Sequence, residues 1–310
     1  MITTVTLNAA IDKTYYVGRF DAGKVNRVPK VLATPGGKGI NVARVLRQLG
    51  AEVKATGFVG GKNGEFIAER LEQQGVPNDF VQVEGESRLC LNIIDADGAS
   101  TELLEPGPEI PEDALQKMKV KIRELARESS LVVMSGSLPA GVPDGYYAEL
   151  IREVKAEGRR VLLDTSKTPL LRGIEAVPYL IKPNEDEVKA LLDPDADAEE
   201  DLCRQVLSLH NRGIAFVVVT LGARGAIAGV EGRLYRIHTP KLQAVNTVGC
   251  GDAFVAGMAY ALERGFEPEA ALRQAAAAGS ANALTPEAGN VRPEDVERLL
   301  AEIRTERIEA

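Results

Sequence analysis

The residues Asn246-Thr247-Val248-Gly249-Cys250-Gly251-Asp252 combine a backbone able to hold an anion with a carboxylate able to take a proton. Two glycines flank one small residue, so the backbone can curl and turn its N–H groups to one side. The apolar run Ala253 to Leu262 that follows contains no proline and reads as a buried helix ending near Gly265. A glycine turn that opens a helix offers free N–H groups at the positive end of the helix dipole. Asp252 fits two roles there. One is the helix N-cap, a common post for aspartate. The other is a general base that takes a hydroxyl proton while the N–H groups of Gly249, Cys250 and Gly251 hold a charged group in transfer.

Several elements must position this turn. Ile2 to Leu7 is a β-branched strand, and Asn8 to Asp12 leave it. Pro35-Gly36-Gly37-Lys38-Gly39 is a second glycine turn, opening a helix over Ile40 to Leu49. Val53 to Val59 reads as a strand and Gly64 to Gln74 as a helix. From 111 onward helices and strands alternate: helices at 111–128, 144–157, 184–192 and 199–212, strands at 131–134, 161–163, 180–181 and 216–220. That alternation predicts a doubly wound, mostly parallel sheet with helices on both faces. Ala226 to Val230 and Leu234 to Ile237 look antiparallel. Helices follow at 252–264, 268–284 and 293–304. Short β-like pieces (Thr14 to Val17, Arg27 to Leu32, Arg88 to Asp95, Thr101 to Leu104) interrupt the pattern and predict a small separate sheet, a lid formed by about 12–33 and 86–105. The expectation is one α/β domain over 1–310. The acidic run Asp193 to Asp201 reads as a solvated loop and helix start.

In such a sheet, ligands gather beyond the carboxyl ends of the strands. There the sequence places Asn8 and Asp12, Ser135-Gly136-Ser137, Asp164, Lys182 with Asn184 and Glu187, and Thr220-Leu221-Gly222-Ala223-Arg224-Gly225. Asn184 and Glu187 share one helix face. They form either a reciprocal cap or oxygen anchors for a hydrated Mg²⁺ beside phosphates. Thr220 to Gly225 is either a tight turn or a backbone cradle for a nucleotide.

Composition narrows the class. The chain has 310 residues, 45% hydrophobic and 26% charged, which is an ordinary globular balance able to bury a large core. A net charge of −8 argues against a nucleic-acid surface. Cys90, Cys203 and Cys250 show no metal or disulfide spacing, which suits a reducing cytoplasm. His210 and His238 are the only histidines, so a His-based triad or multi-His metal site is excluded. No apolar run reaches membrane-spanning length and no secretory leader pattern follows Met1. The Walker A, dinucleotide and protein-kinase signatures are absent.

Taken together these motifs resemble the ribokinase-like (phosphofructokinase B) carbohydrate kinases over essentially the whole chain. Gly36-Gly37-Lys38-Gly39-Ile40-Asn41 is similar to the first family signature and Asn246 to Asp252 to the second, although many members begin the latter with Asp-Thr. Lys182-Pro183-Asn184 with Glu187 is similar to the family's Asn-x-x-Glu element. Thr6-Leu7-Asn8 with Asp12, Ser87-Arg88, Ser135 to Pro139 and Thr101 to Ile110 resemble the 1-phosphofructokinase and tagatose-6-phosphate kinase branch.

The resemblance implies ATP with Mg²⁺ as cofactors and a phosphorylated ketohexose as substrate, fructose 1-phosphate first and tagatose 6-phosphate or fructose 6-phosphate as alternatives. It implies Asp252 as base and Gly249, Cys250 and Gly251 as the anion cradle. Asp12, Gly37, Asn41 and Ser137 would serve the sugar; Lys38 and Arg88 would meet its phosphate, with Lys24 and Arg27 as secondary candidates. Lys182, Asn184, Thr220 to Gly225, Gly251 and Asn282 would serve the nucleotide, and Asn184 and Glu187 would organise the water shell of Mg²⁺. The lid strands have edges that could pair with a second chain as a homodimer. The competing classes are a sugar-phosphate-binding regulator without catalysis and a dinucleotide oxidoreductase. The intact Asp252 and both glycine turns disfavour the first, and the missing dinucleotide fingerprint disfavours the second.

Overall fold

The computed structural model describes residues 1–192 and 199–309, so part of the acidic run from 193 lies outside the described residues. The first half comprises β1 (Ile2–Thr6), β2 (Ala10–Tyr16), β3 (Lys30–Gly36), α1 (Lys38–Gln48), β4 (Val53–Gly60), α2 (Gly61–Gln73), β5 (Val81–Val83), β6 (Arg88–Ile94), β7 (Ser100–Leu104) and α3 (Glu112–Glu128). Then come β8 (Leu131–Ser135), α4 (Tyr146–Ala156), β9 (Arg160–Asp164), α5 (Lys167–Ile174), β10 (Leu180–Ile181), α6 (Glu185–Leu192) and α7 (Glu199–Asn211). The chain closes with β11 (Phe216–Thr220), β12 (Ala226–Val230), β13 (Arg233–His238), α8 (Cys250–Glu263), α9 (Pro268–Asn282), α10 (Pro293–Glu302) and β14 (Arg304–Ile308).

Among the described residues the main sheet has ten strands in the order β14-β13-β12-β11-β10-β9-β8-β1-β4-β5. From β11 to β5 every pairing is parallel; β12, β13 and β14 continue it antiparallel. The central strands β1 and β8 are buried at every position, which explains their unbroken apolar or Thr-rich runs: both faces are covered by helices. Two apolar clusters fill the two faces. One includes Ile40, Val42 and Leu46 of α1 with the alanines of α8 and α9; the other includes Met118 and Ile122 of α3 with Tyr147 and Ile151 of α4. The architecture is the expected doubly wound, mostly parallel α/β sheet with helices on both faces.

Helices α8 and α9 touch backbone to backbone. A Cβ added at Gly257 would lie 2.7 Å from Ala275 Cα, so only glycine permits the approach. This contact fixes the axis of α8, and with it the glycine turn at its start.

A second sheet, in the order β3-β2-β6-β7, stands apart from the first. It is not two isolated hairpins: β2 pairs in parallel with β6, joining the early and late pieces. β3 lies later than expected, because the register pairs Ala10 with Gly36 and so draws the strand up to the second glycine turn. Three elements escape the periodicity: the three-residue β5, α5 with Pro169 near its start, and β14, whose charged Arg304–Ile308 was expected to begin inside the last helix. No helix among the described residues is long and apolar enough to cross a membrane.

Candidate active site

Gly249 is the N-cap of α8 in the left-handed conformation, φ +83°. A Cβ there would come within 2.8 Å of Gly289 N, so the turn is seated tightly on the loop before α10. Asn246 explains its own presence at the head of the turn. Its Oδ1 accepts from Val248 N at 3.0 Å and its Nδ2 donates to Pro286 O at 3.1 Å. Gly249→Ala is therefore expected to store about 1–3 kcal/mol of backbone strain. It should lower both Tm and kcat; unchanged thermal unfolding and turnover would show that the turn tolerates a side chain.

Asp252 lies in the first turn of α8 but makes no capping bond, so the cap reading is not what the structure adopts. Its Oδ2 instead accepts from Asn41 Nδ2 at 2.9 Å, across from α1. Although 94% of its surface is covered, it still lines the cleft. Burial pushes its pKa up to about 6, offset by the charge of Lys38, the Asn41 bond and Lys182. A carboxylate poised near neutrality is suited to general-base work.

Lys38, at the N-terminus of α1, points its amine at Asp164 Oδ2, 3.5 Å away. Asp164 ends β9 and its side chain is fully covered; its Oδ1 lies 3.3 Å from the Lys182 amine. Asp164, more than any other group, holds the Lys38 amine well above the usual lysine range, with Asp252 and Glu187 adding to it. Lys38 neighbours Asp252 and Asp164, whereas Arg88 neighbours Asp12, and both line the same cleft. The two cations form separate clusters. Helix α1 begins directly after Gly37, and that geometry turns residue 38 toward the sheet.

At the other end of the cleft, Asp12 on β2 is half-buried. Burial pushes it up to about 6, opposed by Arg88 and Arg44 and assisted by Glu102. Arg88 Nε donates to Asn8 O at 3.3 Å and Nη1 to Glu105 O at 3.2 Å, which ties the guanidinium to the floor. Gly37 and Asn41 line the same space. Ser137 does not line it; its hydroxyl accepts from Asn8 Nδ2 at 3.3 Å. Lys24 and Arg27 are exposed outside the cleft, and Lys24 lies 3.7 Å from Asp21.

Beyond Asp252 the cleft, about 870 Å³ in all, continues past Thr220, Gly222, Ala223 and Gly225. The N–H groups of Leu221, Arg224 and Gly225 are bonded within the turn, to Gly225 O, Leu221 O and Gly222 O. A backbone cradle thus narrows to Gly222 and Ala223. Leu221 is buried, and Arg224 turns away to pair with Glu185, so neither side chain faces the cleft. Asn282 is fully buried, donating through Nδ2 to Val248 O at 2.9 Å and accepting at Oδ1 from Asn290 N at 3.3 Å. It braces the turn before α8 and does not line the cleft.

The wall at this end comes from residues with little chemical signature: Ala276, Gly279 and Ser280 of α9 and Ala283 just after it, together with Leu242 and Lys241. Their spacing on one helix face is the signal that could have found them. Glu102, Asn92 and Cys90, on the cleft-facing rows of β6 and β7, were likewise missed. They follow from strand alternation once Arg88 is placed.

Asn184 and Glu187 adopt the reciprocal cap. Asn184 N donates to Glu187 Oε2 and Glu187 N to Asn184 Oδ1, each at 2.8 Å. Among the described residues no group of three or more His, Cys, Asp or Glu side chains converges on a point. This donor set fits Mg²⁺ that arrives on nucleotide phosphates and keeps its waters.

The sequence model of the pfkB family carbohydrate kinases matches residues 5–295. Phosphofructokinase-2 from Escherichia coli, solved with potassium, is 29% identical over 97% of this chain and 98% of its own, with a TM-score of 0.93; the same enzyme is also solved with fructose 6-phosphate. A possible 1-phosphofructokinase from Thermotoga maritima is 28% identical over the whole of both chains, with a TM-score of 0.89. Ribokinase from Arabidopsis thaliana, solved with ribose and ATP, is 26% identical over 96% of this chain and 98% of its own, with a TM-score of 0.78.

Proposed function

Because the chain belongs to the pfkB family, and is thus an ATP-dependent carbohydrate kinase, we propose that it phosphorylates a free hydroxyl of a phosphorylated ketohexose. Fructose 1-phosphate, giving fructose 1,6-bisphosphate, is the first choice. Tagatose 6-phosphate and fructose 6-phosphate are the competing acceptors. The observation that carries this reading is a single cleft holding Asp252, the Gly249–Gly251 turn, and the Asp12 and Arg88 pair at its other end.

The chemistry asks for positioning and charge stabilisation. Asp12 orients sugar hydroxyls, and Arg88 offers a guanidinium fork to the phosphate the sugar already carries. Asp252 accepts the proton of the acceptor hydroxyl as its oxygen attacks the γ-phosphorus, and ADP leaves with the electron pair of the broken bond. The N–H groups of Gly249 and Gly251 face the transferring phosphoryl at the helix N-terminus, with Cys250 N–H, now bonded to Thr247 O at 3.4 Å, beside them. Lys38 and Lys182 add positive charge beside it. Gly222 and Ala223 face the nucleotide tail, and the α9 wall covers its base. Asn184 and Glu187 would hold the water shell of Mg²⁺, which would supply further neutralisation of phosphate charge.

The small sheet acts as a lid within one domain, and its outer face, with Val31 and Leu103 each 53% exposed, supports a dimer through the lid. The same reading places the protein in the cytoplasm, where free Cys90, Cys203 and Cys250 stay reduced.

The test is kcat/KM from ADP release with the three ketohexose phosphates. Fructose 1-phosphate is expected to be preferred; a higher value for another reassigns the sugar, and binding without ADP release would favour a regulator. With the base near 6, kcat/KM should fall as the pH drops through about 6. Full activity well below pH 5 would be inconsistent with this base.

A further inference from the structure

Asp164 has no role in the phosphoryl-transfer scheme proposed above, yet it joins two of the cleft's cations. It is a carboxylate with no exposed surface, flanked by the Lys38 amine at 3.5 Å and the Lys182 amine at 3.3 Å. Lys38 comes from the start of α1, Asp164 from the end of β9, and Lys182 from just after β10, so three separate elements meet at this one side chain. The Lys182 amine in turn sits under the anion turn, 3.3 Å from where a Cβ on Gly251 would be. Two ammonium groups beside one another would repel, and burial would favour loss of a proton from one of them. One buried carboxylate between them removes both penalties.

We propose that Asp164 is the positioning residue of the phosphoryl-transfer step: lying between the two amines, it aims Lys38 and Lys182 at the transferring phosphoryl and sets the charge around Asp252. This deepens the kinase reading and rests on Asp252 as base. Asp164 itself touches neither substrate.

The charged and titratable groups facing Asp252 are Lys38 from α1, Asp164 from β9, Lys182 after β10 and Cys250 from its own helix, with Glu187 of α6 acting on Lys38. The signs of their effects differ. Asp164 makes the Asp252 proton harder to remove; Lys38 makes it easier. Asp164 also holds the Lys38 proton on.

Asp164→Asn keeps the side-chain shape and removes the charge. Three results are expected. First, kcat falls about tenfold or more. Second, the acid limb of the kcat/KM profile moves to lower pH by about half a unit or more, and the alkaline limb, set by Lys38, moves to lower pH as well. Third, acylation of the Lys38 amine by a small amine reagent at alkaline pH speeds up several-fold, a readout that needs no turnover. Lys38→Met should move the acid limb the opposite way, to higher pH. The substrate phosphate titrates identically in all variants, so the differences belong to the protein.

A lower kcat with both limbs in place and Lys38 acylated at the original rate would mean that Asp164 only braces the fold, and would overturn the proposal. If Asp164→Asn does not fold, an acid limb that stays put in Lys38→Met overturns it equally. Faster Lys38 acylation with no acid limb in the unaltered enzyme would instead sink the assignment of Asp252 as base, leaving the role of Asp164 toward its lysines standing.

Discussion

Asp252→Asn should lower kcat by about 10²–10⁴-fold while leaving ATP affinity near that of the unaltered protein. Asparagine fits the same space and its Oδ1 can still accept from Asn41 Nδ2, but it takes no proton. The same substitution carries a second signature. The folded Asp252 has its pKa raised to about 6 from a model-peptide value of 3.8. The folded state therefore binds more protons than the unfolded one between those values, and stability conferred by the protonated form is lost as pH rises through that window. Asparagine mimics that protonated form. The variant should be more thermostable than the unaltered protein above about pH 6, with the gap closing as the pH falls toward 4 and below. Equal unfolding temperatures at all pH values would mean that Asp252 is not a desolvated carboxylate. A near-normal kcat would mean that it is not the base.

Arg88→Ala is the second large effect. The guanidinium is anchored by Asn8 O and Glu105 O and faces the space shared with Asp12. Loss of a charge-assisted contact to a phosphate costs about 2–5 kcal/mol, or roughly 30- to 4,000-fold in kcat/KM for the sugar phosphate. The loss should appear mainly in KM for the phosphorylated sugar. Phosphorylation of the unphosphorylated ketohexose, however slow, should be little changed. An equal loss on both sugars would mean that Arg88 supports the lid rather than recognising phosphate.

The contrast with Lys38 shows what the sequence could and could not reveal. Both residues are cations next to glycine or serine motifs, and sequence alone groups them. Arg88 begins a strand of the small sheet, whose alternation turns it to the cleft. Lys38 begins a helix, and the helix axis turns it to Asp164 at the end of β9. The meeting of residues 38, 164 and 182 is a property of the strand order, which periodicity does not encode. The burial of Asn282 has a related cause. Its distance in sequence from the base suggested the far side of the nucleotide, but the close α8–α9 packing at Gly257 folds it back beneath the turn.

Most of the fold was legible because β1, β8, β9 and β11 are short apolar runs separated by amphipathic helices, a pattern with few alternatives. What escaped was set by tertiary contact. β5 is three residues long and exists by pairing with β4. β14 is held by its ladder to β13 despite its charges. The cleft wall on α9 is made of alanine, glycine and serine, which are informative only once a cleft is seen beside them.

The most direct measurement is a structure of the unaltered protein with a non-hydrolysable ATP analogue and the preferred ketohexose phosphate. The account predicts the acceptor hydroxyl within about 2.6–3.2 Å of an Asp252 carboxylate oxygen, the γ-phosphoryl on the Gly249–Gly251 turn, and the sugar's phosphate on Arg88. A sugar bound with its free hydroxyl turned away from Asp252, or a triphosphate lying outside that turn, would contradict it.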